Sequence, residues 1–200
     1  RLAEFHLALD NLLPAAGAFR RVVDNPHATL AQKQDAIWQL LQCYTKLFQW
    51  DEALRITQRI QSSFPDHPRT TDVQLEIGYI LKEMGQHTKA VAFLQKVLEW
   101  AEGEDAAEAR FYIGEAYRNT GEYRKAITAF YQVAFHGAGA STQWINSADF
   151  ERALCHVELG EFDTARTVYQ RIIKREGSSS EWGRLARERV DQLPASTSRN

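Results

Sequence analysis

The chain is short of most features that mark a specialised protein. Its 200 residues include only two cysteines, one methionine and five prolines. Cys43 and Cys155 stand 112 residues apart, which excludes a disulfide-dense scaffold and any Cys-x-x-C metal knuckle. An excess of one charge is also missing: 24 lysines and arginines against 26 aspartates and glutamates leave a net charge of −2. That balance argues against nucleic acid or an anionic membrane surface as the main partner. No apolar run approaches the roughly 18 residues that a membrane-spanning helix needs. Catalytic signatures are absent as well: no P-loop, no Gly-x-Ser-x-Gly, no His-Glu-x-x-His and no dinucleotide fingerprint. The six histidines, at 6, 27, 67, 87, 136 and 156, show no ligand spacing, so no metal, cofactor or enzymatic activity is expected.

What the chain has is a repeat. Ala15, Ala53, Ala90, Ala126 and Ala165 are spaced by 38, 37, 36 and 39 residues. Seven residues after each stand Val22, Ile60, Val97, Val133 and Ile172; four after stand Phe19, Thr57, Leu94, Phe130 and Tyr169. Three before stand Leu12, Trp50, His87, Tyr123 and Phe162, six before Leu9, Leu47, Met84, Thr120 and Leu159, thirteen before Leu2, Leu40, Ile77, Ile113 and Arg152. Of these 25 sites 21 are apolar, where the 44% apolar composition gives 11 by chance, so the register is real. Offsets of 0, 4 and 7 put apolar residues on one face of a helix. The segment before each alanine has the same period, as in Ile77, Ile80, Leu81 and Met84. Gly85, Gly121 and Gly160 fall between the two segments, where a glycine closes a helix. Each unit therefore reads as two helices, and alanine at the anchor lets the pair approach.

The helices are expected near 1–10, 14–25, 30–47, 51–63, 69–84, 87–101, 105–119, 123–136, 143–159 and 162–176, with a capping helix at 180–193. Thr29 with Gln32 suits a capping box. The cap carries Leu185, Val190 and Leu193 on one side and Arg184, Arg187, Glu188 and Arg189 on the other, as the end of a repeat array requires. The reading is one domain over 1–193, with units at 1–26, 29–65, 69–102, 105–137 and 143–177 and a disordered tail at 194–200. His136 to Gln143, with Gly137 and Gly139, is expected to be the loosest joint. The chain opens at Arg1, part-way into the first unit, which leads us to expect a piece of a longer protein. Cys43 and Cys155 share an apolar column and are expected to be buried and unbridged; His6 and His156 are expected to line the core. Arg166 to Arg189, with seven basic and three acidic residues, is expected to be a solvated face.

The pattern resembles the tetratricopeptide repeat family over nearly the whole chain. Its best copy runs from Ala107 to His136, with Ile113-Gly114, Ala116-Tyr117, Gly121-Glu122-Tyr123, Ala126 and Phe130 at the motif positions. A second match is Asp35 to Pro65, with Leu40, Tyr44, Trp50-Asp51-Glu52-Ala53 and Phe64-Pro65. Phe48 in place of the turn glycine and Arg152 in an apolar column depart from the pattern. The resemblance implies an all-α, right-handed superhelical solenoid whose first helices line a concave groove. It also implies a non-enzymatic scaffold that binds a protein or peptide there. The groove would present Trp38, Gln42, Leu75, Tyr79, Lys82, Phe111, Glu115, Arg118, Phe150 and Leu154. The family's chaperone-binding members clamp a carboxylate with lysines and asparagines; here Trp38, Gln42, Glu76, Glu108 and Tyr112 take those places, so that clamp is absent. The final repeat together with Glu181 to Ala186 is similar to the tail of bacterial envelope repeat proteins of the TolA-binding and BamD type, which implies an envelope or periplasmic setting, with a cytoplasmic one as the alternative. A regulatory domain of a larger enzyme and a self-assembly module stay open as functions, and so does the oligomeric state.

Overall fold

Helix ends along this chain are set by side-chain caps and by left-handed turns. Thr29 Oγ1 accepts from Gln32 N at 3.2 Å while Gln32 Oε1 accepts from Thr29 N at 2.9 Å, completing the expected capping box. Ser180 caps the last helix by accepting from Gly183 N at 3.0 Å. At the opposite ends, Gly121 and Gly160 adopt φ of 76° and 73°. Their turns share one pattern: Gly121 N donates to Arg118 O and Glu122 N to Tyr117 O, and Gly160 N to Val157 O and Glu161 N to His156 O. Phe48 makes the same turn, with Phe48 N on Thr45 O and Gln49 N on Tyr44 O, at a φ of 56°. A side chain has replaced the glycine without changing the turn.

The computed structural model describes residues 11–136 and 139–195. Among them are ten helices and no strand: α1 (Leu12–Asp24), α2 (Leu30–Lys46), α3 (Trp50–Ser63), α4 (Thr70–Glu83), α5 (His87–Val97), α6 (Gly103–Asn119), α7 (Tyr123–His136), α8 (Thr142–Glu158), α9 (Phe162–Glu176) and α10 (Glu181–Gln192). The expected helix at 1–10, part of the joint after His136 and the end of the tail lie outside the described residues. One helix differs in length from its reading: α5 stops at Val97 rather than near 101, because Glu99 N and Trp100 N turn back to Lys96 O and Val97 O.

The chain forms two compact units, Arg1–Met84 and Gly85–Asn200. In the first, α1 to α4 pack in chain order around Ala15, Phe19, Ile37, Leu40, Cys43, Ala53 and Ile60. In the second, α5 to α10 do the same, and α6 also touches α8. One cluster there joins Ala107, Ala126, Phe130, Val133, Ala148 and Cys155; another joins Phe150, Ala165, Val168, Tyr169, Ile172 and Ala186, the last from the capping helix. All five anchor alanines are 0% exposed, which is why nothing larger stands there. Gly114 supports a close approach of two helices: a Cβ on it would lie 2.5 Å from the Phe130 ring. Both cysteines are free and buried, and burial raises the Cys43 thiol and pushes that of Cys155 up to about 12.

Arg152 is the departure the apolar column could not accommodate. It is buried, not swung out to water, and its Nη2 donates to Asp149 Oδ1 at 2.7 Å. Arg175 from α9 donates Nη2 to Asp149 Oδ2 at 3.0 Å and Nε to Asn146 Oδ1 at 2.8 Å. An ionic group thus occupies the space that Leu40, Ile77 and Ile113 fill in the other copies.

Candidate functional site

The candidate residues sit on α2 and α4 in the first unit and on α6 and α8 in the second. In the first unit, Trp38 on α2 is half-buried, with the Arg69 guanidinium 5.3 Å from its ring centre. Gln42 is half-buried one turn further on. Tyr79 on α4 is half-buried too; Trp50 meets its ring edge-on at 6.0 Å, and Lys82 Nζ lies 4.7 Å from its ring centre. Lys82 itself is buried and pairs with Glu83 at 2.7 Å, and Leu75 is only 2% exposed. Between α2 and α4, Thr45 Oγ1 donates to Glu76 Oε1 at 2.8 Å, and burial raises the Glu76 carboxyl above its ordinary range.

In the second unit, Phe111 on α6 is half-buried against Phe130 and Trp144, at 5.5 and 5.1 Å between ring centres. Beside it, Tyr112 donates to Glu108 at 2.8 Å and meets Trp144 edge-on at 6.1 Å. Arg118 reaches across to Glu151 on α8 in an ion pair, and Glu115 and Leu154 are half-buried. Phe150 is 8% exposed and packs on Tyr169 and Trp182 at 5.3 and 6.0 Å. Seven of the ten candidates therefore keep a partly open surface, and Leu75, Lys82 and Phe150 lie in the packed interior. Sequence reasoning passed over Trp50, Trp144 and Trp182, the partners that fix Tyr79, Phe111 and Phe150. Trp144 and Trp182 stand outside every repeat column, and Trp50 was legible only as a packing residue.

Two other groups with shifted protonation lie in the core. Tyr169 is pushed up to about 12 by burial, as Cys155 is, and both belong to apolar clusters. His156 lies half-buried, its Nδ1 2.6 Å from Glu161 Oε2, while His6 falls outside the described residues. Among the described residues no group of three or more His, Cys, Asp or Glu is placed to hold a metal ion, and no helix is long and apolar enough to cross a membrane.

Two family models, each described as "Tetratricopeptide repeat", match residues 69–134 and residues 35–67 and 147–179. The chain belongs to the tetratricopeptide repeat family. Its fold is the all-α helical-repeat fold of the solenoid class that the resemblance implied, and solved structures agree. A Rap protein complexed with competence and sporulation factor is similar at 19% identity and a TM-score of 0.70, over 94% of this chain and 55% of that one. The apo form of RapI matches at 14% identity and the same TM-score of 0.70, over 94% of this chain and 69% of that one. A candidate kinesin light chain from Podospora anserina with nearly identical TPR-like repeats matches at 17% identity and a TM-score of 0.63, over 96% of this chain and 94% of that one. The chain thus spans about half the length of the first of these solved structures. No curated protein sequence matches it.

Proposed function

We propose that this chain is a non-enzymatic binding module that holds a partner polypeptide on the open faces of its first helices. One observation carries the reading. Aromatic side chains with polar neighbours recur, half-open to solvent, at matching register positions: Trp38, Gln42 and Tyr79 in the first unit, Phe111, Glu115, Arg118 and Leu154 in the second. Aromatic residues fixed by packing lose little entropy on binding and dominate interface energetics. A repeated row of shallow sites suits an extended segment or an amphipathic helix better than a metabolite, which calls for one deep pocket. Lys82 lies against the Tyr79 ring, and Leu154 packs against the cluster that holds Phe150. The similarity to a Rap protein solved with a bound factor supports a binding role for this fold. An envelope setting rests on Glu181 to Ala186, and a signal peptide or lipobox in the full-length gene would support it.

The double variant Tyr79→Ser, Phe111→Ser tests the proposal. Capture of the partner from the native cell extract should fall at least tenfold with the helical circular dichroism unchanged. Full retention of binding would move the site elsewhere.

A further inference from the structure

The second unit carries a groove that the repeat's inner-face reading does not use. Its floor is α6, from Arg110 through Ile113 and Tyr117 to Thr120, and its walls are α5 and α7. Two adjoining cavities of about 420 and 250 Å³ make it up, sharing Gln95, Tyr117 and Lys125. The ten-residue span of the floor is about 15 Å at a rise of about 1.5 Å per residue. That length holds four to five residues of extended chain, at about 3.3 Å each. A helix, about 10 Å across, is too thick for cavities of this size.

The lining specifies the chemistry. Ile113, Leu98 and Val91 give the groove an apolar bed. Three cations stand over it, Arg110, Arg124 and Lys125, against one carboxylate, Glu122, which Lys125 already holds in an ion pair. Lys125 Nζ lies 5.2 Å from the centre of the Tyr117 ring, and Arg124 is paired with Glu161 outside the groove. Arg110 is the unsatisfied member: among the described residues it forms no ion pair. At the other end, His87 Nδ1 is buried with no hydrogen-bond partner among them. A surplus of positive charge thus meets an apolar bed, with one buried, unpaired ring nitrogen at the far end.

We propose that this groove binds a short extended acidic peptide segment. A carboxylate of the peptide pairs with Arg110, and an apolar side chain lies on Ile113 and Leu98. The bidentate fork of Arg110 gives the carboxylate its orientation as well as its attraction. The proposal is independent of the reading placed on Trp38, Tyr79 and Phe111, since it uses the other side of α6.

Selection of a random displayed heptapeptide library on the intact chain tests it. Enriched sequences should carry aspartate or glutamate beside an apolar residue. Binding of an enriched synthetic peptide should fall at least tenfold in Arg110→Glu, fall less in Arg110→Lys, and survive in Tyr79→Ser. Thermal unfolding of each variant checks that the fold is intact. The proposal is overturned if nothing is enriched, if the enriched peptides lack acidic residues, or if Arg110→Glu binds them as well as the parent does. Free glutamate that competes as well as the peptide would also overturn it, by making the groove a small-anion site.

Discussion

Arg152 and Asp149, one turn apart on α8, form a hydrogen-bonded ion pair at 2.7 Å with side chains only 5 and 1% exposed. Two charges so placed cost several kcal/mol each to desolvate, and Arg152 Nε stays buried with no hydrogen-bond partner among the described residues. Asp149 is shared with Arg175, and the Arg152 guanidinium lies 5.5 Å from the Tyr131 ring centre. Removing the anion leaves the buried Arg152 without compensation, whereas Arg175 keeps Asn146 and Glu176. Asp149→Ala should therefore destabilise the fold by about 3–5 kcal/mol. Arg152→Met should cost clearly less, because Asp149 keeps Arg175. Urea unfolding of both variants measures this, and equal costs would mean that the pair does not organise the site.

Phe48 makes a turn that suits glycine, since a left-handed backbone costs an L-residue roughly 1–2 kcal/mol. Its ring is 72% exposed and touches Trp50 only edge-on, at 5.5 Å between centres, so little packing is lost when it goes. Phe48→Gly should raise stability by about 1 kcal/mol. A lower melting temperature would show that the ring's contact with Trp50 outweighs the strain.

Close packing of α6 on α7 depends on Gly114 and Ala126. A methyl group at 114 would meet the fully buried Phe130 ring at 2.5 Å, and Ala126 is 0% exposed. Gly114→Ala and Ala126→Leu should each cost about 1–3 kcal/mol by overpacking. An unchanged denaturation midpoint for both would mean that this interface relaxes freely.

Much of this fold is legible in the sequence because helices and tight turns are local. The anchor alanines, the Thr29 box and the glycine turns are each set within a few residues. The end of α5 is not legible, because Leu98-Glu99-Trp100 contains no glycine or proline to stop a helix. Arg152 is not legible either: Asn146, Asp149 and Arg152 recur every three residues on α8, but Arg175, which completes the group, comes from the next helix. At the candidate site, periodicity gives the direction of a side chain and not its depth. Phe111 and Phe150 occupy the same register, yet Trp182 and Tyr169 close over Phe150 while Phe111 stays half open.

Glu76 ties stability to pH. Burial raises its carboxyl in the folded state, so the folded chain holds this proton more tightly than the unfolded one. The contribution is fully present below the unfolded carboxylate range and is lost as pH rises through the folded value. Glu76→Gln keeps an acceptor for Thr45 and has no charge to desolvate. The variant should melt higher than the parent at pH 7, and the two should converge in acid, where both side chains are neutral. A difference that grows on acidification would reverse the assigned sign.

The central claim is that the open faces of the first helices hold a partner chain. The photo-crosslinker p-benzoylphenylalanine, placed singly at Gln42, Leu154 or the exposed Lys174 on α9, tests it directly in cells. Irradiation should trap one partner of the same mass from Gln42 and from Leu154, and none from Lys174. Adducts from Lys174 alone, or the same adducts from all three positions, would contradict the account.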